Sequence, residues 1–120
     1  MEFKNNKAIY IQISDTLCDS ILSGKYLPGN RIPSVREYAA EVEVNANTVM
    51  RAYDSLEQQG IIYNKRGIGF FISDNASALV KELRRKEFFD DEIEYFFNRL
   101  HSLEITPEEL KTLYINHCNK

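Results

Sequence analysis

Two short stretches of this 120-residue chain carry side chains that can hydrogen bond to bases and phosphates. Asn47 has an amide that can pair with adenine through two hydrogen bonds, and Arg51 can bind guanine or a phosphate. Further along the chain, Lys65 and Arg66 are followed by Gly67, which would let the backbone approach a ligand closely. Residues of these types indicate contact with a nucleic acid, provided that the fold exposes them together.

The arrangements that enzymes require are missing from the sequence. The carboxylate pairs are sequence neighbours near predicted helix starts, where the helix dipole accounts for them: Asp90–Asp91 and Glu108–Glu109. The two histidines and Cys118 form no i, i+4 pair or second cluster that could hold a metal. We therefore expect no catalytic residues, no metal and no cofactor. A small-molecule effector stays an open question, because a hydrophobic cleft could hold one but no polar residues converge there in the sequence.

The overall charge does not favour binding to nucleic acid. Fifteen basic and eighteen acidic residues give a net charge of −3, and neither half of the chain is basic. Any contact with DNA must therefore come from a few well-placed side chains.

Cysteine usage and hydropathy indicate the cytoplasm. The two cysteines, Cys18 and Cys118, are too far apart in sequence to suggest a metal knuckle or a disulfide framework. No apolar run approaches the ~18 residues that a membrane span needs, and residues 1–7 do not resemble a secretory signal. We expect a cytoplasmic protein that does not contact a membrane.

Three amphipathic helices are predicted in the first half of the chain. The first, over residues 9–23, has an apolar stripe formed by Tyr10, Ile13, Leu17 and Ile21. Ser34 and Glu37 have the spacing of a capping box, which predicts that a second helix begins at residue 35. Asn45 is a good N-cap for a third, whose inward face carries Val49, Ala52, Tyr53 and Leu56. Its outward face then carries Ala46, Asn47, Met50, Arg51, Asp54 and Gln58.

These elements, in this order, indicate a winged helix-turn-helix. Two helices joined by a turn of about three residues are followed by β-rich runs at 61–63 and 69–72 around a polar tip at 64–67. The second helix of such a motif enters the major groove, and a basic wing suits the minor groove or the backbone. Arg36 lies in the first turn of the preceding helix, where a positive charge interacts unfavourably with the helix dipole. This position favours a nearby anion, such as a phosphate, that would bind the guanidinium. Simpler interpretations remain for each feature: a solvated helix face, an ion pair of Arg36 with a glutamate, and a polar turn that keeps the hairpin soluble.

The remainder of the chain is predicted to be helical. We expect one helix over residues 77–103, although Asp90–Asp91 could divide it, and a last helix that begins with Thr106 as cap and Pro107 at its first position. A helix over 77–103 would span ~40 Å, and its apolar stripe predicts a dimer interface. The predicted interface residues are Leu79, Leu83, Phe89, Ile93, Phe96, Leu100 and Leu103. Alternatively, the last helix folds back over the stripe within one chain.

Three segments resemble the GntR family of bacterial transcription regulators. They are residues 24–37 (GKYLPGNRIPSVRE), 44–53 (VNANTVMRAY) and 66–71 (RGIGFF), within a resemblance that covers residues 9–73. The short helical tail resembles the YtrA subfamily, which lacks a large effector-binding domain and whose members are typically dimeric repressors. The resemblance implies DNA contacts by Arg36, by the start of the third helix and by Gly67. Ala46 and Met50 stand where many relatives carry Arg, so the operator preference of relatives should not be transferred to this chain.

Together these observations predict a mostly α fold with a small β-hairpin wing. Residues 1–75 would form the winged helix-turn-helix and residues 76–120 a helical dimerisation tail. The predicted function is a transcription regulator, in particular a repressor, that binds an inverted-repeat operator as a homodimer. The predicted DNA-binding residues are Ser34, Arg36, Asn45, Ala46, Asn47, Thr48, Arg51, Lys65, Arg66 and Gly67. The alternative is a winged-helix module for protein interaction. We expect no fused enzyme domain, because residues 76–120 are too few for one.

Overall fold

The computed structural model describes residues 7–120, so the prediction about a secretory signal falls almost entirely outside the described residues. The helices are α1 Ile9–Leu22, α2 Val35–Val42, α3 Ala46–Gln58, α4 Ala76–Glu87, α5 Ile93–Ser102 and α6 Pro107–Cys118. The strands are β1 Ile62–Lys65 and β2 Gly69–Ile72. The chain forms two compact units, of which the first ends at Glu82 and the second is Leu83–Lys120. The predicted fold class, mostly helical with a two-stranded hairpin, is confirmed.

Side-chain caps set the starts of α2 and α3. The Glu37 backbone N–H donates to Ser34 Oγ at 3.1 Å, and Glu37 Oε1 accepts from the Ser34 backbone N–H at 2.8 Å, which completes the predicted capping box. Asn45 Oδ1 accepts from the Asn47 backbone N–H at 2.7 Å at the start of α3. Between them, Glu43 adopts a left-handed conformation (φ +56°) that ends α2. The helix-turn-helix therefore has the boundaries that these capping residues predict.

The first unit has a continuous apolar core. The inward face of α3 is its centre, because Val49, Ala52, Tyr53 and Leu56 are at most 1% exposed. Tyr53 also donates its hydroxyl to the Pro33 carbonyl at 2.7 Å and meets the Phe70 ring edge-on at 5.0 Å between centroids. Other buried side chains come from every remaining element of this unit: Ile13, Leu17, Cys18, Ile21, Ile32, Tyr38, Ala39, Ile61, Ile62, Ile72, Ala76 and Val80. This packing holds α3 rigidly against α1, α2 and the hairpin.

The wing is an antiparallel hairpin with a short tip. Tyr63 pairs with Phe71 and Lys65 pairs with Gly69, which leaves residues 66–68 as the connecting loop. The prediction that the tip begins at Asn64 is therefore wrong, since β-pairing places both Asn64 and Lys65 in β1, with Lys65 as its last residue. Backbone hydrogen bonds between residues 29–32 and β2 attach the hairpin to the segment that leads into α2.

The second unit is helical and loosely packed within one chain. The single α-helix expected over residues 77–103 is divided by a π-helical turn at Phe88–Glu92, which contains Asp90 and Asp91. Lys86 Nζ donates to Asp90 across the start of this turn. Thr106 caps α6 as predicted, by accepting the Glu109 backbone N–H at 3.1 Å. None of the residues from 83 to 120 is fully buried.

Candidate nucleic-acid interface

The first turn of α3 carries polar side chains on its outer surface, and the buried side of the helix holds it in place. Ala46 and Asn47 are exposed and Thr48 is half-buried, whereas the next residue, Val49, is fully buried. Asn45 is exposed, but its side-chain oxygen caps the helix. The side-chain amide of Asn47 therefore lies on a fixed helix end, in the place where recognition helices contact base edges.

One turn further along α3, Met50 and Arg51 continue the exposed face. Met50 is 39% exposed. The Arg51 guanidinium lies over the ring of Tyr10, with its carbon Cζ at 4.0 Å from the ring centroid. An open cavity of about 390 Å³ adjoins this pair and is lined by Ala8, Ile9, Tyr10, Asn47, Thr48 and Arg51. The outward face of α3 thus borders the beginning of α1.

Arg36 is exposed in the first turn of α2. Within residues 7–120 it forms no ion pair, contrary to the simpler interpretation that a glutamate neutralises it. The neighbouring Glu37 is occupied by the capping box, and its hydrogen bonds with Ser34 hold the pKa of the Glu37 carboxyl below its ordinary value, helped by the charge of Arg31. The guanidinium of Arg36 is therefore available to an external anion.

The tip of the wing is basic and exposed. Arg66 and Gly67 are exposed, and Gly67 has φ +78°, a conformation that side chains disfavour. The Lys65 ammonium lies 4.7 Å from the centroid of the Phe71 ring, which itself stacks on Tyr63. The aromatic pair supports a cation on the hairpin surface, close to the tip although not in it.

Two residues near this surface were not singled out as contacts by the sequence. Tyr10 was placed in the apolar stripe of α1, but it is half-buried and contacts Arg51 instead of lying in the core. Arg31 lies against the wing: a Cβ placed on Gly69 would be 2.8 Å from Arg31 Nε. Neither contact has a local sequence signal, because each joins residues from distant parts of the chain.

No helix within residues 7–120 combines the length and the apolarity that a membrane span requires. Nor do the described histidines, cysteines and carboxylates form any group that could hold a metal ion.

The model of one family matches more than half of the chain. Residues 9–72 match "Bacterial regulatory proteins, gntR family". The chain is 38% identical to the uncharacterised regulator YhcF of Bacillus subtilis, over 91% of this chain and 88% of YhcF. It is 42% identical to the repressor YtrA of the same organism, over 66% of this chain and 61% of YtrA, so the alignment spans less than two thirds of that relative.

Solved structures agree with this match. A putative GntR-family regulator from Bacteroides thetaiotaomicron superposes with a TM-score of 0.82 and 48% identity, over 93% of this chain and 97% of that one. The DNA-binding domain of AraR in complex with operator ORX1 superposes with a TM-score of 0.56 and 28% identity, over 58% of this chain and 84% of that one. The family and these relatives are transcription regulators, neither enzymes nor modules for protein interaction. The chain belongs to the gntR family of bacterial regulatory proteins and is a DNA-binding transcription regulator.

Proposed function

We propose that this protein is a cytoplasmic repressor that binds an inverted-repeat operator as a homodimer, with α3 in the major groove. The main support for the proposal is the difference in solvent exposure between the two faces of α3. Its inner face is at most 1% exposed, whereas Asn47 and Arg51 are exposed on the outer face. A helix held this firmly can direct side chains at base edges with little loss of entropy on binding.

We assign separate roles to the residues at the starts of α2 and α3 and to Arg51. Asn47 reads a base edge, with adenine as the favoured partner, and Arg51 binds guanine or an adjacent phosphate. Thr48 and Ser34 lie at the starts of α3 and α2, where hydroxyls and backbone N–H groups can contact phosphates. Asn45 and Ala46 bring the backbone of the first turn of α3 close to the DNA.

Basic residues on both sides of α3 extend the contact along the DNA backbone. Arg36 binds a phosphate from the start of α2. Arg66 and Gly67 contact the minor groove or its edge, supported by Lys65 at the end of β1.

Dimerisation is inferred from charge and from the second unit. The chain carries a net charge of −3, so one half-site offers few favourable phosphate contacts, and two linked half-sites are needed for tight binding. In the second unit, Phe89 is 53% exposed, Phe96 42% and Leu103 59%. Single chains rarely leave such apolar surface open. A two-fold interface would cover it, and would set two α3 helices ~34 Å apart on successive major grooves.

The proposed interface consists of the residues predicted from sequence, which we expect to contribute unequally to the stability of the dimer. Ile93 and Leu100 are half-buried and lie on α5 with Phe96, so they form its centre together with Phe89. Leu83 is half-buried at the start of the second unit. Leu79 is also half-buried, and it lies close to Gly60 in the first unit, so we expect it to contribute least.

The test is a comparison of Asn47→Ala with Gln58→Ala on a duplex selected by the intact protein from a random-sequence library. Both side chains are exposed on α3, but Gln58 is the last residue of the helix. Asn47→Ala should weaken binding by ~1–3 kcal/mol and relax the preference at one base pair of each half-site. Gln58→Ala should bind as the parent does. If Asn47→Ala retains both the affinity and the base preference of the parent, α3 does not read the operator through this residue.

A further inference from the structure

The contact between Tyr10 and Arg51 joins the start of α1 to the outer face of α3. The guanidinium carbon of Arg51 lies 4.0 Å from the centroid of the Tyr10 ring. Within residues 7–120, Arg51 has no ion pair that would compete for its charge. The aromatic face of Tyr10 is thus the group that stabilises this cation.

This contact leaves the hydrogen-bonding capacity of Arg51 free. A guanidinium presents five N–H donors in its own plane, and a ring below that plane occupies none of them. An arginine without a support samples many rotamers and loses that freedom when it binds DNA. An arginine held on a ring is already ordered, and its donors remain available to a ligand.

We propose that Tyr10 is a positioning residue for operator recognition: its ring holds Arg51 in the conformation that contacts DNA. The inference rests on the proposed role of Arg51 at the operator, and assigns to α1 a part in specificity. It requires only the aromatic face of Tyr10, not its hydroxyl.

The ring of Tyr10 is not among the buried side chains that form the core of the first unit. Tyr10 is half-buried, whereas Ile13 and Leu17, further along α1, are 6% and 2% exposed and form the buried contact of that helix with the core. Replacing Tyr10 by another apolar side chain should therefore leave the fold intact. Its effect should appear in DNA binding and not in the melting temperature.

The experiment is a double-mutant cycle on the full chain, with the library-selected duplex and a scrambled duplex as probes. The variants are Tyr10→Phe, Tyr10→Leu, Arg51→Gln and the combination of the last two. Tyr10→Phe keeps the ring and should bind as the parent does. Tyr10→Leu should lose about two- to fivefold in affinity for the selected duplex, the range expected for an exposed cation–π contact. In the Arg51→Gln background, Tyr10→Leu should have no further effect.

Several results would overturn the inference. If Tyr10→Phe loses as much affinity as Tyr10→Leu, the hydroxyl acts directly on DNA. An equal loss from Tyr10→Leu with and without Arg51 would mean that the two residues act independently. If Arg51→Gln binds as the parent does while Asn47→Ala remains impaired, the positioning role is wrong but the operator-binding proposal stands. If the intact chain selects no duplex at all, both are wrong.

A second measurement guards against a misfolded Tyr10→Leu chain. The Tyr10 ring should shift the NMR signal of the Arg51 Nε–H group in the DNA-free protein. Tyr10→Phe should keep that shift and Tyr10→Met should abolish it. An Arg51 signal that is identical in the parent and in Tyr10→Met would also overturn the inference.

Discussion

The two compact units of this chain differ in what they bury. In the first unit every helix and strand contributes apolar side chains to a core, and several of these side chains are completely inaccessible to solvent. In the second unit, residues 83–120, no side chain is fully buried and the aromatic rings of α5 remain open. The first unit can therefore fix the positions of the side chains that read DNA. We infer that the second unit obtains its missing burial from another copy of the chain.

The largest expected effect comes from removing a central ring of the first unit. Tyr53→Ala deletes a side chain that is 0% exposed and leaves the Pro33 carbonyl without its hydrogen bond, so it should lower the free energy of unfolding by ~3–5 kcal/mol. Tyr114→Ala, at a ring of the second unit that is 67% exposed, is the matched control and should cost under ~0.5 kcal/mol. Urea unfolding followed by circular dichroism measures both. Equal losses would remove the distinction between the two units.

A charge on the open face of the second unit should have the next largest effect. Phe96→Asp puts a carboxylate into the proposed interface and should weaken dimerisation by ~2–4 kcal/mol, as expected for an aromatic anchor. Asn98→Asp introduces the same charge on the same helix outside the predicted stripe, and should leave the dimer intact. Sedimentation equilibrium distinguishes the two variants. If Phe96→Asp assembles as the parent does, the α5 stripe is not the interface.

Alkaline pH should act on the first unit through its buried tyrosine. Burial raises the pKa of Tyr53 above the ordinary value of 10.0. Above that pH the phenol ionises in the unfolded chain but stays neutral in the folded one. The free energy of unfolding should therefore fall by ~1.4 kcal/mol per pH unit for this group. The fall begins near pH 10 and continues toward the raised pKa of the folded state.

The slope can be assigned by substitution. Tyr53→Phe should remove this part of the pH dependence, whereas Tyr114→Phe in the second unit should keep the parent slope. Unfolding curves measured between neutral and alkaline pH provide the comparison. A slope that Tyr53→Phe leaves unchanged would mean that another group causes the alkaline loss.

The smallest effects concern the helix caps, and the cap of α2 in the first unit can be compared with the cap of α6 in the second. Ser34→Ala breaks the capping box of α2, and Thr106→Ala removes the cap of α6. Each substitution should destabilise its helix by ~1 kcal/mol. Because α2 packs into the core, Ser34→Ala should lower global stability, while Thr106→Ala should only increase hydrogen exchange near the start of α6. If Thr106→Ala instead lowers global stability as much as Ser34→Ala does, α6 is part of a cooperative core.

Much of the first unit was predictable because its signals are local. Ser34 with Glu37, and Asn45 before an apolar periodicity, mark helix starts through hydrogen bonds within a few residues. The inward face of α3 follows from the same periodicity. Sequence patterns of this kind predict the helix-turn-helix and the exposed position of Asn47 without reference to distant residues.

The errors arise where geometry departs from that periodicity. The apolar spacing through Phe89, Ile93 and Phe96 is compatible with an uninterrupted α-helix. The pair Asp90–Asp91 indicated where that helix could be divided, but not that the interruption is a π-helical turn at Phe88–Glu92. Tyr10 fits the apolar stripe of α1 by spacing alone, yet its ring contacts Arg51 on α3. Long-range contacts of this kind appear only once the packing of the helices is known.

We expect two chains to pair through their second units to bind one operator. The most direct measurement is the sedimentation mass of the intact protein, alone and with the library-selected inverted-repeat duplex. The chain mass is 14.0 kDa, so the free protein should have twice that mass and each duplex should bind two chains. A free mass of 14.0 kDa at micromolar concentration, with one chain bound to each duplex, would contradict this expectation.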